Sequence, residues 1–399
     1  MTAFESARAI AGISGAVGYN PEIRLLPSIA QIPTGAWQEM LPGEPECWDF
    51  YRTAEGVPPP GFSLSAIAAF EDRRVLAAAP VFTLDYRLDT PFQGKVRACS
   101  EWVNRRWPRL LTRSVMGLGS PMSDSCTIGF APHLLPFQRR RIFSALLGTL
   151  SREAVLRGTS ILAVKSLGAQ AEQLAPSLGR HGFHCVTNLP VVALPVRFRS
   201  MEEYYLSLPK KTRTYMKRKM RSAPELRIEL RNSADGVGDQ LFPLFENTRN
   251  QSKSRYGEFE DLNSNLFKRV MGELGDNARL MLCWKGDRLM SFLLMLVAPD
   301  RVIGKYIGMV YPEGRELNLY FVMALKMIEM AVERGMGRVE MGVTTYPTKL
   351  LFGGHMERRW LYYRCMNRFQ DAVIHAFDFL FDFERNDADL RRLGAKIHD

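Results

Sequence analysis

The sequence predicts an α/β protein in which one mixed-sheet unit occurs twice, and three observations carry that expectation. A five-residue phrase, Ala154-Val155-Leu156-Arg157-Gly158, returns as Ala331-Val332-Glu333-Arg334-Gly335, each time closing an apolar helical stretch that runs into a strand. Both copies follow paired strand-like runs, so the order strand, strand, strand, helix, glycine, strand is shared. The 399 residues suffice for two hydrophobic cores. Three segments follow: an irregular lead-in over 1–36, rich in Gly, Pro, Ala and Ser, a first unit over 37–198, and a second over 199–399 that ends in a helix.

In the first unit, Gly-Val-Pro-Pro-Pro-Gly at 56–61 is a stiff turn, because proline fixes φ and removes a donor. Strands are expected over 64–70 and 75–86, joined by the polar tip Glu71-Asp72-Arg73-Arg74. An inserted loop or short helix over 87–114 carries Trp102 and Trp107, and a third strand over 115–118 leads to a Gly/Pro/Ser/Asp-rich loop. Ile142, Leu146, Leu150 and Val155 recur near the helical period, which gives a helix over 138–157. A strand over 161–164, a helix over 169–181 and strand within 183–196 complete the unit.

In the second unit, Ser200 and Glu203 have the spacing of a capping box, and Pro209 permits a fresh helical start. A strand over 226–230 and helices over 238–252 and 263–274 come next. A hairpin pairs 279–284 with 288–297 around Lys285-Gly286-Asp287, and 302–309 is a third strand. Asn318 is placed to cap a helix over 319–334 with Gly335 as its C′ residue. A strand over 338–343, a loop over 346–354 and a last helix within 367–383 follow.

Composition narrows the function. Hydrophobic residues make up 46% and charged residues 24%, ordinary for a globular protein, and no apolar run reaches the roughly 18 residues that span a bilayer. Residues 1–20 include Glu5 and Arg8 and lack the apolar stretch of a secretory signal, so the chain reads as cytoplasmic. The six cysteines are far apart without a C-x-x-C pair, and the histidines form no H-E-x-x-H, so neither a bound metal nor a disulfide framework is expected. A net charge of +11 points to polyanions: nucleic acid, phosphorylated co-substrates or an anionic surface.

Two segments can carry chemistry. Residues 210–221 hold Lys210, Lys211, Arg213, Lys217, Arg218, Lys219 and Arg221 with no acid among them. As a helix, Lys210, Arg213, Lys217 and Arg221 share one face, and their mutual repulsion calls for an anion opposite. The bland alternative is a solvated basic face. The second segment is Tyr346-Pro347-Thr348-Lys349-Leu350-Leu351-Phe352-Gly353-Gly354, which leaves the end of a strand with a lysine placed to meet a ligand and Gly353 allowing close backbone approach.

From 201 to about 363 the chain resembles the Fem-type branch of the GNAT acyltransferase superfamily, including the acetyltransferase domain labelled BioF2-like. The resembling pieces are LPKKTRTYMKRKMR at 208–221, ARLMLCWKGDRLMSFLLML at 278–296, and the stretch 304–354 with its long helix ending in Arg-Gly and its Lys-x-x-Phe-Gly loop. The resemblance implies an α/β fold of two tandem GNAT-like domains with mixed central sheets, the first more diverged. It implies an N-acyltransferase that moves an acyl or aminoacyl group from acyl-CoA or aminoacyl-tRNA to an amine, on a small molecule or an envelope precursor, with no tightly bound cofactor. Lys349 matches the lysine that faces substrate phosphate in Fem-type enzymes, and the basic helix matches their positive entry segment. The chain departs from acyl-CoA-using GNAT enzymes in lacking R/Q-x-x-G-x-G/A between 309 and 319, although Arg315 and Asn318 occupy that stretch.

For the chemistry, a strand over 302–309 splayed from its neighbour would offer backbone donors near 306–308 to a tetrahedral oxyanion. Acid–base candidates are Glu340, Tyr306 and Tyr346 beside Lys349, with Glu101 and Asp124 in first-unit loops facing the second. No nucleophile elbow or Cys/His pair stands out, so direct attack without an acyl-enzyme is expected. The rival readings are a non-catalytic twin-GNAT scaffold that binds RNA or another anionic polymer, and an assembly factor for envelope or exopolysaccharide.

Overall fold

The computed structural model describes residues 21–89, 100–102, 105–107, 111–251, 257–394 and 397–398. The first unit runs β1 (Glu22–Leu26), α1 (Thr34–Met40), α2 (Trp48–Gly56), β2 (Ser63–Glu71), β3 (Arg74–Arg87), β4 (Thr112–Leu118), β5 (Gly129–Phe130), α3 (Pro136–Leu156), β6 (Ile161–Leu167), α4 (Ala171–Arg180) and β7 (His184–Pro195). The second runs α5 (Met201–Ser207), α6 (Lys210–Lys219), β8 (Arg227–Arg231), α7 (Gly238–Asn250), α8 (Leu266–Glu273), β9 (Ala278–Lys285), β10 (Arg288–Val297), β11 (Arg301–Met309), α9 (Glu313–Glu316), α10 (Leu319–Glu333), β12 (Arg338–Gly342), α11 (Tyr346–Leu351), β13 (His355–Cys365) and α12 (Arg368–Ala376). Short turns and β14 (Ile397–His398) close the described chain.

All strands join one sheet in the order β1-β2-β3-β4-β6-β13-β7-β12-β11-β10-β9-β8, with β5 on β3 and β14 on β13. The order is symmetric about its centre. β13 of the second unit fills the gap between β6 and β7 of the first, and β7 fills the matching gap between β12 and β13. The two expected sheets are therefore fused by exchanged strands, which supply each other's missing hydrogen-bond partners.

The repeated phrase marks equivalent corners. It ends α3 and α10, and Gly158 and Gly335 take φ of 64° and 65° as C′ residues. One large core joins α1 and α2 to the helices and strands of the second unit, and a second lies between α3, α4 and the first unit's sheet.

Several expectations need correction. The lead-in holds β1 and the start of α1, so its structure begins before 37. Residues 1–20 and much of the 87–114 insertion, including parts of its expected loop or helix, lie outside the described residues. Ser200 Oγ accepts from Glu203 N, but the Glu203 carboxylate accepts from Arg199 N, one residue beyond the Ser200 N–H that a capping box uses. Asn318 stands before α10 in the left-handed region (φ 55°), and its side chain makes no capping bond. The 346–354 loop contains α11, and β13 lies where no strand was expected.

Candidate active site

The site forms where β11 leaves β12. These parallel strands pair only from Arg301↔Arg338 to Ile303↔Glu340, and beyond Ile303 the edge of β11 loses this neighbour. On its other side β11 is bulged: Gly304 pairs Met295 and Tyr306 pairs Leu294, which leaves Lys305 as the extra residue. A bulge re-aims a side chain, and here the Lys305 ammonium is buried against Glu46, delivered by the first unit's loop between α1 and α2. Burial works against that charge, but Glu46 and then Asp124 outweigh it and hold the ammonium well above the usual lysine pKa. Arg301 reaches the same acidic loop, with Nη2 2.9 Å from Glu44.

The opening between β11 and β12 is a cavity of about 730 Å³ with walls from both units. Its polar end gathers Lys349, Lys305, Lys165, Asp124 and Tyr306. Lys349 is 5% exposed and donates from Nζ to the Val343 carbonyl within the same turn. Burial lowers its pKa to about 7, with Asp124 opposing, so amine and ammonium coexist near neutrality. Lys165, within β6, donates to the Ser123 carbonyl at 2.5 Å; burial lowers its pKa too, again against Asp124. The Tyr306 phenol is pushed well up by burial and stays protonated.

Asp124 acts electrostatically on all three lysines and on Tyr306. Its seat depends on Gly342, which has φ of +70° and leaves no room for a Cβ: the atom would stand 2.9 Å from Asp124 Oδ2. Thr344 and Thr345 follow at φ of 65° and 52° and line the cavity. Two adjacent β-branched residues in the left-handed region store roughly 1–3 kcal/mol each. The α11 turn holds them, with Thr348 and Lys349 N–H groups bonded to the Thr345 carbonyl.

At another end of the cavity, the Arg315 guanidinium stacks over Tyr311 at 5.2 Å and reaches Gln251 Oε1 at 3.2 Å. The basic helix α6 flanks this end without entering it. Lys219 Nζ bonds Asn318 Oδ1 at 2.7 Å and lies 5.1 Å from the Phe321 ring, itself a wall residue. Lys210, Lys211, Lys217 and Arg218 are exposed, and Arg213 is half-buried with Nη1 on the Leu206 carbonyl.

Of the residues expected from sequence, Lys349, Tyr306, Arg315 and Asp124 line one cavity, Asn318 and the α6 cations Lys210, Lys211, Arg213, Lys217 and Arg218 lie outside it, and Glu340, Tyr346 and Gly353 are elsewhere. Glu340 points away, held by Arg338 at 2.9 Å and Arg301 at 3.6 Å, because alternate residues of a strand face opposite sides. Tyr346 is a fully buried core side chain, and Gly353 packs near Leu208 and Leu194. Lys165 and Lys305 were missed; a lysine within an apolar strand reads as an outward-facing residue unless its distant partner is known. No group of residues suited to a metal occurs among the described residues, and no described helix is long and apolar enough to cross a membrane.

A fused double sheet that opens into a cavity where β11 and β12 part is the fold of tandem GNAT proteins. Residues 210–350 match the acetyltransferase (GNAT) domain family. Among solved structures, FemX aligns with a TM-score of 0.56 at 12% identity, over 88% of this chain and 99% of that one. A tandem GNAT protein from the clavulanic acid biosynthesis pathway aligns at 0.50 and 12%, over 87% and 99%. The C-terminal domain of an Agrobacterium fabrum protein described as a lysylphosphatidylglycerol synthetase aligns at 0.50 and 11%, over 88% and 96%. No curated protein sequence matches the chain.

Proposed function

We propose that the chain is an N-acyltransferase that passes an acyl or aminoacyl group from a phosphate-bearing activated donor, acyl-CoA or aminoacyl-tRNA, directly to an amine. The observation that carries this reading is the convergence of Lys349, Lys165, Lys305 and Asp124 on the gap between β11 and β12. The acceptor nitrogen attacks the donor carbonyl carbon, a C–N bond forms, and the oxyanion develops beside fixed positive charge. Asp124 attracts the incoming ammonium. Lys349, near neutral, takes the proton released as the amine attacks and returns one to the leaving oxygen or sulfur as the C–O or C–S bond breaks. Tyr306, kept as a phenol, can donate a hydrogen bond to the oxyanion but does not serve as the base.

Donor phosphates fit the Arg315 end, where Lys219, Lys217 and Arg218 continue the positive charge outward. The absence of a glycine-rich pyrophosphate loop between 309 and 319 favours a donor larger than CoA, an aminoacyl-tRNA. The test is incubation of the purified protein with labelled acyl-CoA mixtures, labelled aminoacyl-tRNAs and a panel of amines, following which label passes to nitrogen. Transfer from either donor supports the reading. Consumption of neither, with tRNA still bound, leaves a binding scaffold in its place.

A further inference from the structure

The cavity has a second arm that transfer to a small polar amine does not use. One face of the first unit's sheet is divided along its length. Ala66, Ala68 and Ala78 belong to the core that holds Phe50 and Tyr51 of α2. Farther along the same face, Phe82 and Leu84 on β3, Val115 on β4, and Ile161 and Ala163 on β6 gather in a separate cluster and face the cavity. Gly117 lets the Phe82 ring lie flat across β4, since a Cβ there would fall 2.3 Å from its Cζ.

The second unit adds apolar side chains to this floor. Phe259 of the second unit meets the Phe62, Phe82 and Tyr86 rings at centroid distances of 5.2, 5.9 and 5.9 Å. Ile374 on α12, with Phe381 and Phe383 after it, lines the same arm. Outside, this C-terminal cover exposes Phe369, Val373 and Phe377 to solvent, so it is apolar on both faces. At the inner end the arm meets Lys165 and Asp124.

We propose that this arm binds a linear aliphatic chain of fatty-acyl length, its head group at Lys165, Asp124 and Lys349. A hydrocarbon floor and cover this extensive are unfavourable against water and are relieved by an apolar ligand. A ring-rich, hydrogen-bond-poor slot ending in charge matches one long chain with one polar head, and the outward aromatic rings of the cover suit a ligand drawn from a lipid phase. The chemistry is shared by a fatty-acyl donor and a long-chain amine acceptor; the expected head group rests on the acyl-transfer reading, whereas the chain does not.

The test is titration calorimetry of the full chain, without any donor, against hexanoate, decanoate and palmitate and against hexylamine and hexadecylamine. Affinity should tighten about three- to fourfold per methylene until the arm is full, making the best sixteen-carbon ligand at least about a hundredfold tighter than its six-carbon counterpart. A steeper carboxylate series marks a fatty-acyl donor, and a steeper amine series marks a lipid amine acceptor. Ala163→Phe should weaken palmitate or hexadecylamine at least about tenfold, and the six-carbon probes less. If that variant does not fold by circular dichroism, Phe259→Ala, which enlarges the cover side, should move the preferred length upward. Equal affinity for short and long chains, or a folded Ala163→Phe that binds long chains as before, overturns the proposal. Label transfer to an amine without chain-length dependence removes the lipid arm and keeps the transferase; chain-length-dependent binding without any transfer does the reverse.

Discussion

Lys305 Nζ and the Glu46 carboxylate form an ion pair between the two units, with side chains only 3% and 7% exposed. The lysine also lies 5.4 Å from the Phe50 ring. Glu46→Gln would leave a buried ammonium without its counter-charge and should cost about 3–5 kcal/mol by denaturant unfolding. The double substitution Glu46→Gln with Lys305→Met should recover most of that. A single variant as stable as the parent would show that solvent, and not Glu46, balances Lys305.

Lys349 makes stability pH-dependent in a definite direction. Its folded pKa is near 7 against an ordinary value of 10.5, so between those limits the unfolded chain binds more protons. Stability should therefore rise with pH from about 7 to 10.5, and the penalty is fully present below 7. Lys349→Met removes this contribution: the parent's gain over the variant across the window should exceed about 1 kcal/mol. The same substitution should lower turnover at least about tenfold. Matching pH–stability curves for the two proteins would show that the amine is not desolvated.

Asp124 opposes the fall in the Lys349 pKa, so Asp124→Asn should lower it further. The acidic limb of the pH–rate profile should then move to lower pH by at least about half a unit, with a reduced plateau if Asp124 also attracts the ammonium. An unmoved limb would separate Asp124 from the proton acceptor.

Lys217 and Arg218 lie on the exposed side of α6, outside the cavity. Replacing both by alanine should weaken a tRNA or other polyanionic donor and make the log–log salt slope shallower by about 1 to 2. Folding should be unchanged, because their stems cover little of the core. An unchanged slope would make α6 a solvated basic face.

Much of the architecture was legible because helices with strong apolar stripes and glycine ends leave local marks, as α3 and α10 do. β13 left none. Its sequence HMERRWLYYRC carries Glu357, Arg358 and Arg359 in a row, which interrupts any apolar alternation, and bulges at Glu357/Arg359 and Trp360/Tyr362 break the period. Glu357 is matched by Arg338 at 2.6 Å; although burial disfavours its charge, Arg338 and Arg359 bring its pKa down to about 2. Such compensation exists only in three dimensions. The candidate site divides the same way: Lys349 stood out because it follows a strand in a motif-bearing loop. Lys305 depends on a one-residue bulge and a carboxylate 259 positions away.

The crossing of β7 and β13 has a bearing on how this molecule is made and taken apart. A break near residue 198 would strip each fragment of the ribbon that seals its open seam, so neither piece should mature alone. Mixed together, the two pieces should clasp and restore a working whole. On the ribosome, the leading half must wait for nearly all of the trailing half before its own seam can close.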